Sequence, residues 1–221
     1  MTAAAPRLST TLSLSPPRHS FSSSQAPSLN LTITSHHSEP ITIYADNLSP
    51  SLMLTSSALT ITNLSTGQEI PQLKRTHCVI PPPSKVTVPL RKDLFYTLFP
   101  NTPIAFSAPF TRPRPGTGGR PLAASHPEYG SDPTAKRGAC GVDGLEPGSR
   151  YMLTLAANPR VRWDVIRWWE YGTKEQVLYG GGGASDEPVL NGRDVQFGGG
   201  PHGPIVVDLA NVGAIMFECQ E

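Results

Sequence analysis

LNLTITSHHSEPITIYA, residues 29–45, decides the fold class. Leu29, Leu31 and Ile33 alternate with Asn30, Thr32 and Thr34, a period of two that puts apolar side chains on one face of a strand. HHSEP is polar and ends in Pro40, so the chain turns there. Ile41 and Ile43 restart the alternation, with Thr42 between them and Tyr44 after. Two half-buried strands joined by a short polar turn predict an antiparallel pair with one wet face.

The pattern recurs on both sides of this stretch. Upstream, TTLSL at 10–14 predicts an edge strand, and the Ser/Pro-rich segment 16–27 a loop whose one large apolar group is Phe21. Downstream, 46–51 reads as a turn and ALTITNL at 58–64 as a strand with Leu59, Ile61 and Asn63 on one face. Ser65-Thr66-Gly67-Gln68 then predicts a hairpin turn, Gly67 supplying positive φ, with 69–73 as the return strand. Short strand candidates at 77–80 and 85–90 flank Pro81-Pro82-Pro83, which has no backbone donors for a ladder. Segments 95–99 and 104–110 predict a strand pair across Pro100-Asn101-Thr102-Pro103. Segments 151–157, 205–209 and 214–219 complete the set, and a single helical turn fits 164–168. Strands every ten residues or so, with turn chemistry between them, predict packed antiparallel sheets.

Composition bounds what this scaffold carries. Twenty glycines and 24 prolines in 221 residues predict a core of about 130–150 residues within loops and tails. Residues 1–8 read as a disordered tail, and 9–221 as one domain with disordered insertions at 111–141 and 179–203, where Gly and Pro concentrate. The formal charge of +1 gives no global field for nucleic acid or an anionic membrane. No apolar leader or spanning run is present, and Cys78, Cys140 and Cys219 are odd in number and far apart. Reduced thiols and a cytoplasmic setting are therefore expected. Asn30, Asn47 and Asn63, each two residues before Ser or Thr, read as ordinary strand and turn residues.

Few residues offer chemistry. His36 and His37 diverge from adjacent positions on a turn, and only Glu39 follows at a ligand-like spacing, short of the three or four converging ligands that zinc needs. His77 and Cys78 point apart if the segment is extended. The runs Gly180–Gly183 and Gly116-Thr117-Gly118-Gly119-Arg120 lack the Lys-Ser/Thr or the strand and helix of a phosphate loop. No cofactor, metal or catalytic residue is expected. The densest cluster is Trp163, Arg167, Trp168, Trp169 and Tyr171. Neighbouring tryptophans on a strand face opposite ways, so one enters the core while the other meets solvent or a protein partner.

Three motifs carry a family likeness. The L-x-L-T-I-x-S and P-I-T-I strands within Leu29 to Ile43, the L-x-P-G-x-R-Y turn of Leu145 to Tyr151, and the W-x-Y-G-T-K-E-x-V-L segment of Trp169 to Leu178 resemble a group of uncharacterised proteins from filamentous fungi. The resemblance implies an all-β, immunoglobulin-like antiparallel β-sandwich with long Pro/Gly-rich loops, and supplies no activity. The L-x-P-G-x-x-Y grammar is also similar to that of immunoglobulin-like propeptide or inhibitor domains associated with proteases. The expectation is a non-catalytic binding or structural module, with Trp163 to Tyr171 as its contact surface. The alternative is a protease-associated module presenting an extended loop from 111–141.

Overall fold

The computed structural model describes residues 6–23, 25–73, 85–87, 92–112, 116, 118–131, 133, 138–157, 162–179, 194–196, 202–209 and 211–221. The described chain is mostly β. In order it comprises β1 (Leu8–Ser15), β2 (Arg18–Ser20), β3 (Ser28–Ser35), β4 (Ile41–Tyr44), α1 (Pro50–Thr55), β5 (Leu59–Asn63), β6 (Glu69–Ile70), β7 (Lys85–Thr87), β8 (Phe95–Leu98), β9 (Ile104–Pro109), α2 (Pro127–Ser131), β10 (Arg150–Leu155), β11 (Val165–Ile166), β12 (Trp169–Tyr171), α3 (Lys174–Tyr179), β13 (Asp194–Gln196), β14 (Ile205–Val206) and β15 (Ile215–Gln220). Among the described residues no helix is long and apolar enough to cross a membrane.

A five-stranded sheet has the order β2-β15-β10-β5-β6; two three-stranded sheets have the orders β1-β3-β9 and β12-β4-β8. Two small pairs, β11-β14 and β13-β7, complete the set. The quoted stretch is therefore not a hairpin. β3 pairs with β1 and β9, whereas β4 pairs with β8 and β12, so HHSEP carries the chain from one sheet into another. The Pro100–Pro103 connection does the same on the opposite strand, with Ile33 facing Ile104 before the bend and Ile41 facing Leu98 after it. The two crossings run side by side, tied by the Asn101 N–H donating to the Ser35 carbonyl at 2.8 Å. The result is one long antiparallel pair bent across two sheets. Two strands that change sheets together keep their ladder partners on both sides of the corner, which satisfies the backbone there.

Leu29, Leu31 and Ile33 share one core with Ile61, Leu153 and Phe217 of the five-stranded sheet. Phe217 sits edge-on to Phe110 at 5.6 Å and stacks on Tyr151 at 5.5 Å. The β5–β6 hairpin forms as expected. Asn63 Oδ1 accepts from the Ser65 and Thr66 N–H groups, and Gly67 takes φ +69. The other two Ser/Thr-spaced asparagines are also structural: Asn30 Oδ1 accepts from Ser28 and Ser107, and Asn47 is buried.

Several boundaries are corrected. Leu8, assigned to the tail, is 1% exposed and opens β1. Within 111–141, residues 118–131 and 138–141 are folded: Leu122 packs with Tyr129 of α2, and Ala139 and Cys140 enter the main core. Small residues do this work, which is why the segment reads as coreless; Gly141, at φ +63, lies directly against the Phe110 carbonyl. Within 179–203, β13 pairs with β7, and His202 and Gly203 are packed. The turn assigned to 46–51 runs into α1, and the helical turn assigned to 164–168 is instead a turn followed by β11. The strand candidate 77–80, the proline triplet, the His77–Cys78 pair and the Gly180–Gly183 run lie outside the described residues.

Candidate interaction surface

The segment 162–171 is fixed from one side by the residues that follow β4. Asn47 Nδ2 donates to the carbonyls of Arg162, Trp163 and Val165 at 3.0, 3.3 and 2.7 Å. Asp46 forms an ion pair with Arg167, both side chains being largely covered. Two residues of one turn thus place a ten-residue stretch, and sequence position alone gives no hint that positions 46–47 and 162–167 meet.

The three tryptophans are buried: Trp163 is 2% exposed, Trp168 8% and Trp169 2%. Their assignment to an open contact surface is corrected accordingly. Trp168 and Trp169 do point opposite ways. Trp169 enters the main core. Trp168 packs in a second cluster with Tyr44, Phe95 and Leu178, edge-on to Phe95 at 5.3 Å. The face that was expected to be wet is roofed by α3, which contributes Leu178 and Val177. Thr97 Oγ1 accepts from the Lys174 N–H at 2.7 Å and sets the start of that helix. Arg167 is engaged by Asp46, so of the five predicted residues Tyr171 is the one whose partly exposed ring meets other partly exposed side chains, those of His37 and His202.

Around Tyr171 a compact cluster assembles from distant positions. Its ring lies 5.1 Å from His37, 5.5 Å from His202 and 5.1 Å from Trp169. The His202 ring lies 4.5 Å from the Trp169 indole, tilted by 30°, and hydrogen-bonds Glu170 at 3.0 Å. Trp169 Nε1 donates to the Gly203 carbonyl at 3.0 Å, pinning the same backbone. His36 points elsewhere, its Nε2 2.7 Å from Ser9 Oγ, as expected for adjacent turn residues. The sequence reading takes Glu170 as a surface carboxylate beside the tryptophans and misses His202, which lies 32 positions away. No local spacing rule couples them. Among the described residues, no three His, Cys, Asp or Glu side chains gather closely enough to hold a metal.

An open cleft of about 320 Å³ lies at the other end of the segment, lined by Leu155, Ala156, Trp163, Leu209, Arg162 and Asp164. Arg162 grips Asp164 in a bidentate pair, both contacts at 2.8 Å. That guanidinium holds the Asp164 carboxyl below its ordinary range, against the opposing effect of burial. Comparison with protein-family models, with curated proteins and with solved structures finds no match.

Proposed function

We propose that this chain is an immunoglobulin-like β-sandwich that works as a non-catalytic protein-binding module, with the Tyr171 cluster as its contact patch. The observation that carries the reading is the contrast between base and surface. Trp169 is locked in the main core, while Tyr171 and His202 stand partly open against it, with His37 and Glu170 beside them. An aromatic and polar patch on a rigid base loses little entropy when a partner covers it, which is what binding hot spots require. The immunoglobulin-like assignment is supported by the L-x-P-G-x-R-Y turn. There the Tyr151 hydroxyl accepts the Glu146 N–H at 2.9 Å, closing the turn before β10 as tyrosine corners do in Greek-key sandwiches. The protease-associated alternative rests on an extended loop from 111–141; of that segment, residues 118–131 pack against the Gly138–Leu145 segment through Tyr129, Leu122 and Ala124.

A photo-crosslinking amino acid at position 171 tests the patch, with the same group at Thr102 as the control. A defined heteromeric adduct from position 171 alone supports it. Equal adducts from both positions, or from neither, remove it.

A further inference from the structure

The solvent face of the five-stranded sheet carries a second feature, on a different sheet from Tyr171. β15 pairs with β10 on one side and β2 on the other, so Arg18, Glu218 and Arg150 stand in one row across three neighbouring strands. Met216 and Met152 form the next row on the same face. Pro16, Pro17, Arg18, Arg150, Met216 and Glu218 line an open groove of about 440 Å³.

The charges in this row are not spent on one another. Glu218 accepts from Gln220 Nε2 at 2.7 Å. Among the described residues, Arg18 and Arg150 make no ion pair with it or with any other carboxylate. Both arginines are exposed, and Met216 is 50% exposed. The two guanidinium groups thus stand on either side of Glu218, two strand spacings or about 10 Å apart, with the Met216 and Met152 row alongside. Guanidinium forks hold carboxylates bidentately, and an exposed thioether adapts to varied apolar partners.

We propose that this groove docks an acidic, extended segment of a partner protein, with carboxylates on Arg18 and Arg150 and an apolar side chain on Met216. Charge complementarity selects this occupant. A second copy meeting this face in register would set arginine against arginine and Glu218 against Glu218. The central Glu218 repels the continuous phosphate line of a nucleic acid, yet fits between two separate carboxylates. The proposal is independent of the Tyr171 patch, and substitutions there leave it untouched.

The test uses the full chain and a fluorescein-labelled twelve-residue peptide with glutamate at every second position and leucine and serine between. Its lysine-for-glutamate counterpart and a twelve-nucleotide single-stranded DNA serve as comparisons. Anisotropy is expected to show saturable binding of the glutamate peptide alone. R18Q/R150Q is expected to weaken it by about ten-fold or more and Met216→Ala by about three-fold, while E218Q tightens it and salt weakens it. All these side chains are on the surface, so unchanged melting curves separate loss of contact from loss of fold. Equal binding of the lysine peptide, tighter binding of the DNA, or indifference to R18Q/R150Q overturns the proposal. Concentration-dependent dimerisation abolished by Met216→Asp overturns it too, making the face an interface between copies.

Discussion

His19 shows how much one residue can set the response of the fold to acid. It lies on β2, is 1% exposed and packs edge-on against Phe21 at 4.7 Å. Neither ring nitrogen reaches a hydrogen-bond partner among the described residues. Burial therefore pushes its pKa below the ordinary 6.5, and the nearby Gln25 backbone offsets this only in part. The unfolded chain takes up a proton at this site as pH falls through 6.5 while the folded chain resists it, so stability rises with pH across that window. Urea midpoints measured at pH 7.5 and 5.5 should show a loss at the lower pH that His19→Leu largely removes; an unchanged slope would assign the acid sensitivity elsewhere. Asp164 acts in a lower window. Its folded pKa is depressed from 3.8, so its contribution is present above that value and fades as pH falls through the folded one. Two glycines make a second residue-scale contrast. A Cβ on Gly67 meets nothing within 4 Å, whereas one on Gly141 would lie 2.2 Å from the Phe110 carbonyl oxygen. Gly67→Ala is expected to cost about 1–2 kcal/mol from its left-handed backbone alone. Gly141→Ala should cost clearly more in thermal melts, because backbone must shift as well.

At the scale of elements, alternation reveals that a strand exists but not which strand it pairs with. The side chains of β3 and β4 obey a period of two in the sequence, and both segments are strands. Their separation into different sheets depends on HHSEP bending beside the Pro100–Pro103 connection, a contact over sixty residues away in the chain. Thr42 illustrates the loss of information: it reads as a solvent-facing residue, yet it is fully buried and its hydroxyl donates to the Gly172 carbonyl at 2.9 Å. Trp168 was likewise legible as opposed to Trp169. Its roof was not, because α3 spans six residues, too few to register a helical period. The roof yields a prediction. Leu178 is fully buried among Tyr44, Phe95 and Trp168. Leu178→Ala should cost about 2–5 kcal/mol and red-shift the tryptophan emission, as water reaches Trp168. A Glu175→Ala change on the exposed side of the same helix should do neither. If both variants behave alike, α3 is not what shields the indole.

For the whole molecule, the bent β3–β4/β8–β9 pair makes the two three-stranded sheets interdependent. The five-stranded sheet is tied to them by the shared core, so it should unfold with them, because separating the layers exposes Leu29, Leu31 and Ile33 on one side and Ile61, Leu153 and Phe217 on the other. The sequence supplies probes on both. All three tryptophans fall within 163–169, beside the β12-β4-β8 sheet, while Cys219 sits on β15 of the five-stranded sheet. Burial, reinforced by Glu218, pushes the Cys219 thiol up to about 12. At pH 8 it is therefore inert in the folded state, and the thiolate becomes reactive once unfolding restores its ordinary value of 9.0. Pulse labelling with iodoacetamide along a urea series, with the Cys219 peptide resolved by mass, should give the same midpoint as tryptophan fluorescence on the same samples. A Cys219 midpoint well below the fluorescence midpoint would mean that β15 and its neighbours open first. The shared core would then join a less stable five-stranded layer to the bent pair rather than make one cooperative body.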